Sequence, residues 1–332
     1  MNKLSIIGAG FSTAVLCHYL QNKDVHIFEK SRGPGGRSST RKVDDIGVFD
    51  HGLQYISPKA EEFSKFISSI KGIKKWQGDF VELNGKEKIL PKSEKLIGEH
   101  GNNDFAKNLI DINKCKFKSK IEKIEFHKDH WKLIDDSQSE YSTQNLILTL
   151  PQEQTYSLIK NLDLKFKIEK NIMKPCFTVM LALKKTSIFK YSGYIIKNNP
   201  IISWCANESS KQRSINNNEL TQLTIQSTEE YGYENFKKYK ENKDVILNEI
   251  LETFLHMFKI DHSEVVHKNV HGWLYAYAES NDLPVFWDNQ LCLGITGDWF
   301  TGGKAENSWQ NAKLLVDIIT VSYTHLTLPT KA

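Results

Sequence analysis

The chain has 332 residues, 39% of them hydrophobic and 25% charged, with a formal net charge of +4. That length accommodates two domains around a large core, and no apolar run approaches the roughly eighteen residues that a membrane span needs. The positive charge is spread as single lysines and not gathered into a basic stripe, which argues against a nucleic-acid partner and slightly favours anionic small molecules.

Leu4, Ile6 and Ile7 form an apolar run that ends in Gly8-Ala9-Gly10, the pattern of a buried strand meeting a tight turn. Phe11 to Leu20 reads as a helix with Val15, Leu16, Tyr19 and Leu20 on one face, and Val25, Ile27 and Phe28 read as a second strand closed by Glu29. In such a βαβ opening Gly8 permits the turn and Gly10 lets bare backbone approach a pyrophosphate. The helix start offers free N–H groups and a partial positive charge to the phosphates. Glu29 lies 21 residues after Gly8, the spacing at which a carboxylate can accept hydrogen bonds from an adenosine ribose. The third glycine position of this fingerprint is Thr13, which is expected to cost some closeness of helix and strand but to block no phosphate contact.

Ser31-Arg32-Gly33-Pro34-Gly35-Gly36-Arg37 follows directly, a stretch that forbids regular structure and exposes backbone. The chain has only 4 arginines against 40 lysines, and Arg32, Arg37 and Arg41 are three of them. So local a concentration points to a planar, bidentate donor for a phosphate or carboxylate.

Further along, Pro58 opens a helix carrying Phe63, Phe66, Ile67 and Ile70, and Phe80 to Leu90 reads as a hairpin with a primed turn at Asn84-Gly85. Phe105 to Ile110 is a short helix, and Cys115 to Phe126 is expected to pair antiparallel with Trp131 to Ile134. Leu146 to Leu150 is a fully apolar strand ended by Pro151. Phe177 to Leu183, Tyr194 to Ile202 and Leu220 to Ser227 are expected antiparallel strands, and Asp244 to Phe258 is an amphipathic helix whose stripe belongs in a core. Ser209 to Asn218 is polar and reads as a mobile loop. Val265 to Tyr275 and Leu291 to Thr296 are the last strands, and a helix from near Ala305 buries Trp309, Ala312, Leu315, Val316 and Ile319. The helical spacing stops at Val321, so residues 321–332 read as a tail, suspected to be non-native, with no assigned function.

The five cysteines (Cys17, Cys115, Cys176, Cys205, Cys292) are odd in number, widely spaced and free of C-x-x-C. Neither a disulfide framework nor a zinc site is expected, no metal is expected, and a reducing cytoplasm is the expected compartment. Cys17 and Cys292 lie in apolar runs and are expected to be small core residues. The first strand is too short, and its flank too weakly basic, for a signal peptide.

A strand-GAG-helix-strand-Glu unit followed by Arg-x-x-Gly-Gly-Arg resembles the two-part FAD signature of flavin amine oxidase-like proteins; NAD-dependent dehydrogenases usually have the first part alone. Asp50-His51-Gly52-Leu53-Gln54-Tyr55-Ile56 resembles the D-x-G-x-Q-Y-hydrophobic stretch of one branch, the renalases. Ser203-Trp204-Cys205-Ala206-Asn207, His271-Gly272-Trp273-Leu274-Tyr275-Ala276 and Gly297-Asp298-Trp299 agree with that branch, so the resemblance runs from Met1 to about Ile319.

The resemblance implies an α/β fold: a Rossmann-type FAD-binding domain with an inserted antiparallel-sheet substrate domain. The expected bounds are 1–56, 96–152 and 264–320 for the first, and 57–95 and 153–263 for the second. It further implies noncovalent FAD held by Gly8, Gly10, Phe11, Ser12, Glu29, Lys30, Arg32, Gly35, Gly36, Arg37, Gln54, Tyr55, Gly297, Asp298, Lys304 and Ala305. Asp298 would accept from a ribityl hydroxyl. The helix start after Thr301-Gly302-Gly303, near Glu306, would stabilise negative charge on the reduced ring. Gln54, Tyr55, Trp204, Asn207, His271, Trp273 and Tyr275 are candidates for lining the substrate pocket.

The implied reaction is hydride transfer from an isomeric dihydronicotinamide dinucleotide to flavin N5, returning NAD(P)+, with dioxygen reduced to hydrogen peroxide. Such a donor is already activated, so no strong base is required and no catalytic acid or base stands out. A flavin amine oxidase or desaturase, a plain NAD-dependent dehydrogenase and a non-catalytic binding protein remain as alternatives. The sequence is silent on oligomeric state.

Overall fold

A computed structural model describes residues 4–20, 24–164, 167–168 and 173–326. The chain divides into two compact units, one made of residues 1–36, 105–173 and 278–332, the other of 37–104 and 174–277.

The first unit is built on a six-stranded sheet. Its strand order is Phe286–Asp288, Leu293–Ile295, Asn145–Leu148, Leu4–Ile7 (β1), Val25–Glu29 (β2) and Cys115–Phe117. All neighbours are parallel except the first pair. Parallel strands are covered on both faces, which is why β1 and Asn145–Leu148 are buried at every position and are mostly apolar, with only Ser5 and Asn145 polar. One face packs on a three-stranded antiparallel sheet through Ile7, Phe28, Leu146 and Leu148 against Ile121, Ile124, Trp131 and Leu133. Helix α1 (Phe11–Tyr19) and the closing helix Ala305–Leu326 belong to the same unit. The closing helix buries Trp309, Ala312, Leu315, Val316 and Ile319, the stripe expected from the sequence. Strands from the start, middle and end of the chain are thus neighbours, and Gly8, Thr149 and Thr296 all leave their carboxyl ends together: Thr149 N donates to Ile7 O at 3.1 Å and Thr296 N to Leu148 O at 3.0 Å.

The second unit carries a seven-stranded sheet in the order Val265–Tyr277, Lys174–Lys184, Leu220–Ser227, Ile202–Asn207, Gly193–Ile196, Phe80–Leu83 and Glu87–Ile89. Side chains alternate between its faces. Phe177, Val179, Leu181, Leu223, Ile225 and Val270 share a core with Ile246, Leu247, Ile250, Leu251 and Phe254 of the helix Lys243–Phe258. That helix begins where Asn242 accepts from Asp244 N at 3.1 Å and ends at Lys259 in the left-handed conformation. Ile250 is fully buried in this stripe; Ile250→Ala is expected to lower unfolding free energy by about 2–5 kcal/mol in a denaturant titration.

Several expectations are corrected. Cys115 to Phe126 is not one strand: Lys118 takes φ 55°, so Cys115–Phe117 pairs parallel with β2 and Ile121–His127 turns away to pair antiparallel with His130–Asp135. Tyr194 to Ile202 likewise splits into a hairpin around Asn198, whose φ is 57°, and Pro200. At Asn84-Gly85 only Gly85 has positive φ, giving a three-residue loop between Leu83 and Glu87 in place of a primed turn. The helix after Pro58 begins at Glu61. Helix continues past Val321 to Leu326; residues 327–332 lie outside the described residues. Cys17 and Cys292 are only partly buried, Cys292 in a turn at φ 49°, whereas Cys176 and Cys205 are the core thiols. Residues 37–56, 96–104 and 264–277 fall in the second unit, the last of these because Val265–Tyr277 pairs along Lys174–Lys184.

Candidate cofactor and substrate site

Gly8 turns the chain at φ 103°, with its N–H donating to Phe28 O at 2.8 Å. A Cβ there would stand 2.7 Å from Thr149 Oγ1, so glycine is required on both counts. Thr13, at the third position of the fingerprint, is fully buried and its hydroxyl donates to Gly8 O at 2.7 Å. The departure from glycine therefore adds a latch to the turn.

Glu29 is buried at the end of β2. Its two carboxylate oxygens accept from Ala9 N and Ser31 N, each at 2.8 Å, which ties the first glycine turn to the second. Each oxygen keeps a further lone pair for a hydroxyl donor. Gly35 N donates to Ala9 O at 2.9 Å. Gly36 takes φ 52°, and a Cβ on it would lie 3.1 Å from Gly10 Cα. The two glycine-rich stretches therefore meet as bare backbone beside the start of α1, where Gly10 at the N-cap has no side chain to cap the first N–H groups. Lys30 and Arg32 are exposed on the loop that follows β2.

A second helix start lies next to the first: Ser12 and Ser308 hydroxyls are hydrogen-bonded at 2.7 Å. Gly297 leads into a short turn, Asp298–Phe300, with Asp298 buried. Asn311 Nδ2 donates to Gly297 O at 2.8 Å and Asn307 Nδ2 to Thr301 O at 2.7 Å, so the closing helix holds its own entry turn. Gly302 has φ 103° and Gly303 N donates to Ala278 O at 2.8 Å; Lys304, Ala305 and Glu306 follow at the helix start. Gly8, Gly10, Phe11, Ser12, Glu29, Gly35, Gly36, Gly297, Asp298, Lys304 and Ala305 are thus all in the first unit. Arg37 is the first residue of the second unit, and its Nη1 donates to Ala276 O at 3.3 Å.

In the second unit, the sheet face opposite the helices carries most of the substrate candidates. His271, Thr178, Gln226 and Trp204 are registered in one row across four strands. The Asp50–Tyr55 segment is fixed to this face: Trp273 Nε1 donates to His51 O at 2.7 Å and Gln226 Nε2 to Gly52 O at 2.9 Å. Gly52 allows this, since a Cβ there would fall 2.0 Å from Arg37 O. Tyr55 is grouped with Trp76, Phe80 and Trp204, its ring 5.8–5.9 Å from each. Lys95 Nζ stands over the Phe80 ring at 4.2 Å. Gln54 donates its amide to Asp50 O and Gly52 O, while its Oε1 and the Trp204 Nε1 are buried without a hydrogen-bond partner. His51 stacks on Trp273 at 5.3 Å and meets His271 edge-on at 4.9 Å. Burial, with neighbouring positive charge second, drives the His51 imidazole down to about 3 and His271 to about 4, so both are neutral near pH 7. Tyr275 lies two residues beyond Trp273, partly buried. Asn207 is the exception: it pairs in register with Leu223, a core position, and its amide donates to Phe189 O at 3.2 Å on the helix-covered side.

Sequence reasoning missed a buried four-charge cluster. Asp50 Oδ2 accepts from Lys211 Nζ at 2.7 Å and Arg213 Nη2 at 2.6 Å, while Glu208 accepts from Lys211 Nζ at 2.9 Å and Arg213 Nη1 at 3.1 Å; all four side chains are 0% exposed. The stretch expected to be a mobile loop is therefore pinned into the core at Lys211 and Arg213. Burial alone would raise the Asp50 carboxyl, but the two cations outweigh it and hold it far below the usual carboxylate range; for Glu208 burial prevails and its carboxyl is raised. The available signal was arginine scarcity: Arg213 is the one arginine outside the 32–41 cluster in a chain that otherwise uses lysine.

Residues 6–70 match the family model of the NAD(P)-binding Rossmann-like domain. The fold is similar to that of a proposed protoporphyrinogen oxidase from Exiguobacterium sp. 255-15, with TM-score 0.73 and 11% identity over 96% of this chain and 99% of that one. It is also similar to reduced UDP-galactopyranose mutase, with TM-score 0.72 and 12% identity over 97% and 96% of the two chains. Cyclohexylamine oxidase from Brevibacterium oxydans IH-35A gives TM-score 0.68 and 10% identity over 96% and 99%. At these identities the likeness is one of fold. The chain has a mixed α/β fold with a Rossmann-like dinucleotide-binding domain and a second unit built on a largely antiparallel sheet.

Proposed function

We propose that this chain is an FAD-dependent oxidoreductase of the renalase-like kind, which oxidises an isomeric dihydronicotinamide dinucleotide to NAD(P)+. The observation that carries the FAD reading is the seating of Gly35 and Gly36 on the Gly8-Ala9-Gly10 turn, with a 2.9 Å hydrogen bond from Gly35 N to Ala9 O and a tight 3.1 Å approach of any Cβ on Gly36 to Gly10 Cα. This is a cradle of bare backbone beside an uncapped helix start, and it fits a diphosphate. Bound noncovalently, FAD would supply a hydride acceptor at N5 and pass the electrons to dioxygen as hydrogen peroxide.

The chain's own residues bind and orient. The Glu29 carboxylate offers its remaining lone pairs to the adenosine ribose, and Asp298 offers its own to a ribityl hydroxyl. The helix start at Ala305 turns its positive end toward negative charge. Tyr55, Trp204, His271 and Trp273 offer ring faces for a planar substrate on the open face of the second sheet, with Gln54 Oε1 as a buried acceptor. Glu29→Ala is expected to yield protein with substantially less bound flavin; full occupancy after purification would remove Glu29 from the ribose site.

Likeness in fold to cyclohexylamine oxidase keeps amine oxidation as a second reading. Two features favour the first. Imidazoles near 3 and 4 are poor proton acceptors for an ammonium substrate, and the Lys95 ammonium over Phe80 repels a second cation from that aromatic group. Anaerobic mixing decides between them: isomeric dihydronicotinamides should bleach the flavin band rapidly and an amine panel should not. The reverse pattern would establish the amine reading.

A further inference from the structure

We infer that Asp135 is a positioning residue for the adenosine end of the cofactor, acting through Ser119 on the strand end that carries Glu29. This deepens the FAD reading above and rests on it. Every residue involved belongs to the first unit. The strand Cys115–Phe117 runs beside β2, with Phe117 in register with Glu29. Lys118 then takes φ 55° and turns the chain so that two consecutive amides face the end of β2. Lys118 N donates to Ser31 O at 2.9 Å, and Ser119 N donates to Glu29 O at 3.0 Å. The residue whose carboxylate ties the two glycine turns together is therefore held by its own main chain from the outer side.

Asp135 holds that corner in place. Its Oδ1 accepts from Ser137 N at 3.0 Å, Ser137 Oγ at 2.6 Å and Ser139 N at 2.9 Å, and its Oδ2 accepts from Ser119 Oγ at 2.8 Å and Tyr141 OH at 3.0 Å. Asp135 is 1% exposed and Ser119 is 2% exposed. A carboxylate has about four lone-pair sites, so this one has nothing left to offer a ligand, and it positions without binding. The bonds at Oδ1 close a local turn that an aspartate commonly makes. Those at Oδ2 leave the turn, and both lead to β2: Ser119 reaches Glu29 O through its amide, and the Tyr141 ring packs on Phe28 at 4.8 Å. The donors, Ser137 foremost, outweigh burial and hold the Asp135 carboxyl well below the usual carboxylate range, so it stays an acceptor near pH 7. Glu29 thus stands between two fixed points. The Ala9 and Ser31 amides grip its side chain, and the Ser119 corner grips its carbonyl. Loosening the corner lets the carboxylate drift from the place where a ribose hydroxyl would meet it.

The test titrates FAD into the FAD-stripped full-length chain and follows the quenching of flavin fluorescence. The proteins are the natural chain, Ser119→Ala, Glu29→Ala and the double variant, with Asp135→Asn as a second way to remove the tether. Ser119→Ala deletes one hydroxyl and keeps the main-chain bond to Glu29, which makes it mild for folding; a urea titration of each variant reads stability separately. Ser119→Ala and Asp135→Asn are each expected to weaken FAD binding about fivefold. Where Glu29 is already alanine, Ser119→Ala should weaken it less than about twofold, because the group it positions is gone. A role confined to hairpin stability would lower the urea midpoint and leave FAD affinity unchanged, or weaken it by one factor in both backgrounds. Either result would overturn the inference. In the FAD-free chain, exchange of the Ala9 and Ser31 amides, read by NMR, should quicken about threefold in Ser119→Ala; unchanged exchange would also overturn it. A natural chain that takes up no FAD would overturn the FAD reading itself, an outcome that the exchange measurement, made without FAD, keeps apart from failure of the tether.

Discussion

Arg213→Met is expected to lower unfolding free energy by about 3–5 kcal/mol, the usual cost of leaving a buried charge without its partner. Asp50 and Glu208 would then share Lys211 alone, with no water to compensate, since all four side chains are 0% exposed. Adding Glu208→Gln should recover part of the loss by restoring charge balance. The loss should also depend on pH. Glu208 already has a raised carboxyl, and removing a cation raises it further. A group raised in the folded state contributes its stability below its unfolded value, and that contribution fades as pH rises through the folded one. The variant's deficit in denaturant titrations should therefore be smallest near pH 4.5 and grow toward neutrality. A deficit independent of pH, or below about 1 kcal/mol, would mean that the cluster is not the buried network described here.

Gly36→Ala is expected to reduce FAD occupancy at least tenfold, whereas Gly33→Ala in the same loop should leave it unchanged. Gly36 has φ 52° and a Cβ on it would press within 3.1 Å of Gly10 Cα, while a Cβ on Gly33 meets nothing within 4 Å. The methyl group costs roughly 1 kcal/mol in backbone strain, and its larger effect is to part the two turns. Occupancy is read as the ratio of flavin to protein absorbance after purification. Equal occupancy in the two variants would show that the meeting of the turns is not what holds the cofactor.

Much of the first unit was legible because its signals are local. A buried parallel strand is a mostly apolar run, so Leu4–Ile7 and Leu146–Leu148 stand out, and the glycine turn and Glu29 sit at a fixed spacing from the first of them. The stripe of Lys243–Phe258 was legible for the same reason: a 3.6-residue period is written in consecutive residues. What escaped was decided by partners distant in sequence. Asp50 and Arg213 are 163 residues apart, and no periodicity links them. Thr13 looked like a loss until its hydroxyl met Gly8 O. Asn207 and Trp204 sit on one strand, but the odd step between them sends the amide to the opposite face. The breaks at Lys118 and Asn198 depend on single left-handed residues that carry no glycine to announce them.

The most direct measurement is to purify the protein, release any chromophore by heat, and identify and count it by absorbance and mass. The account predicts yellow protein with one FAD per chain, released intact because no covalent bond holds it. A colourless protein that fails to take up added FAD would contradict it.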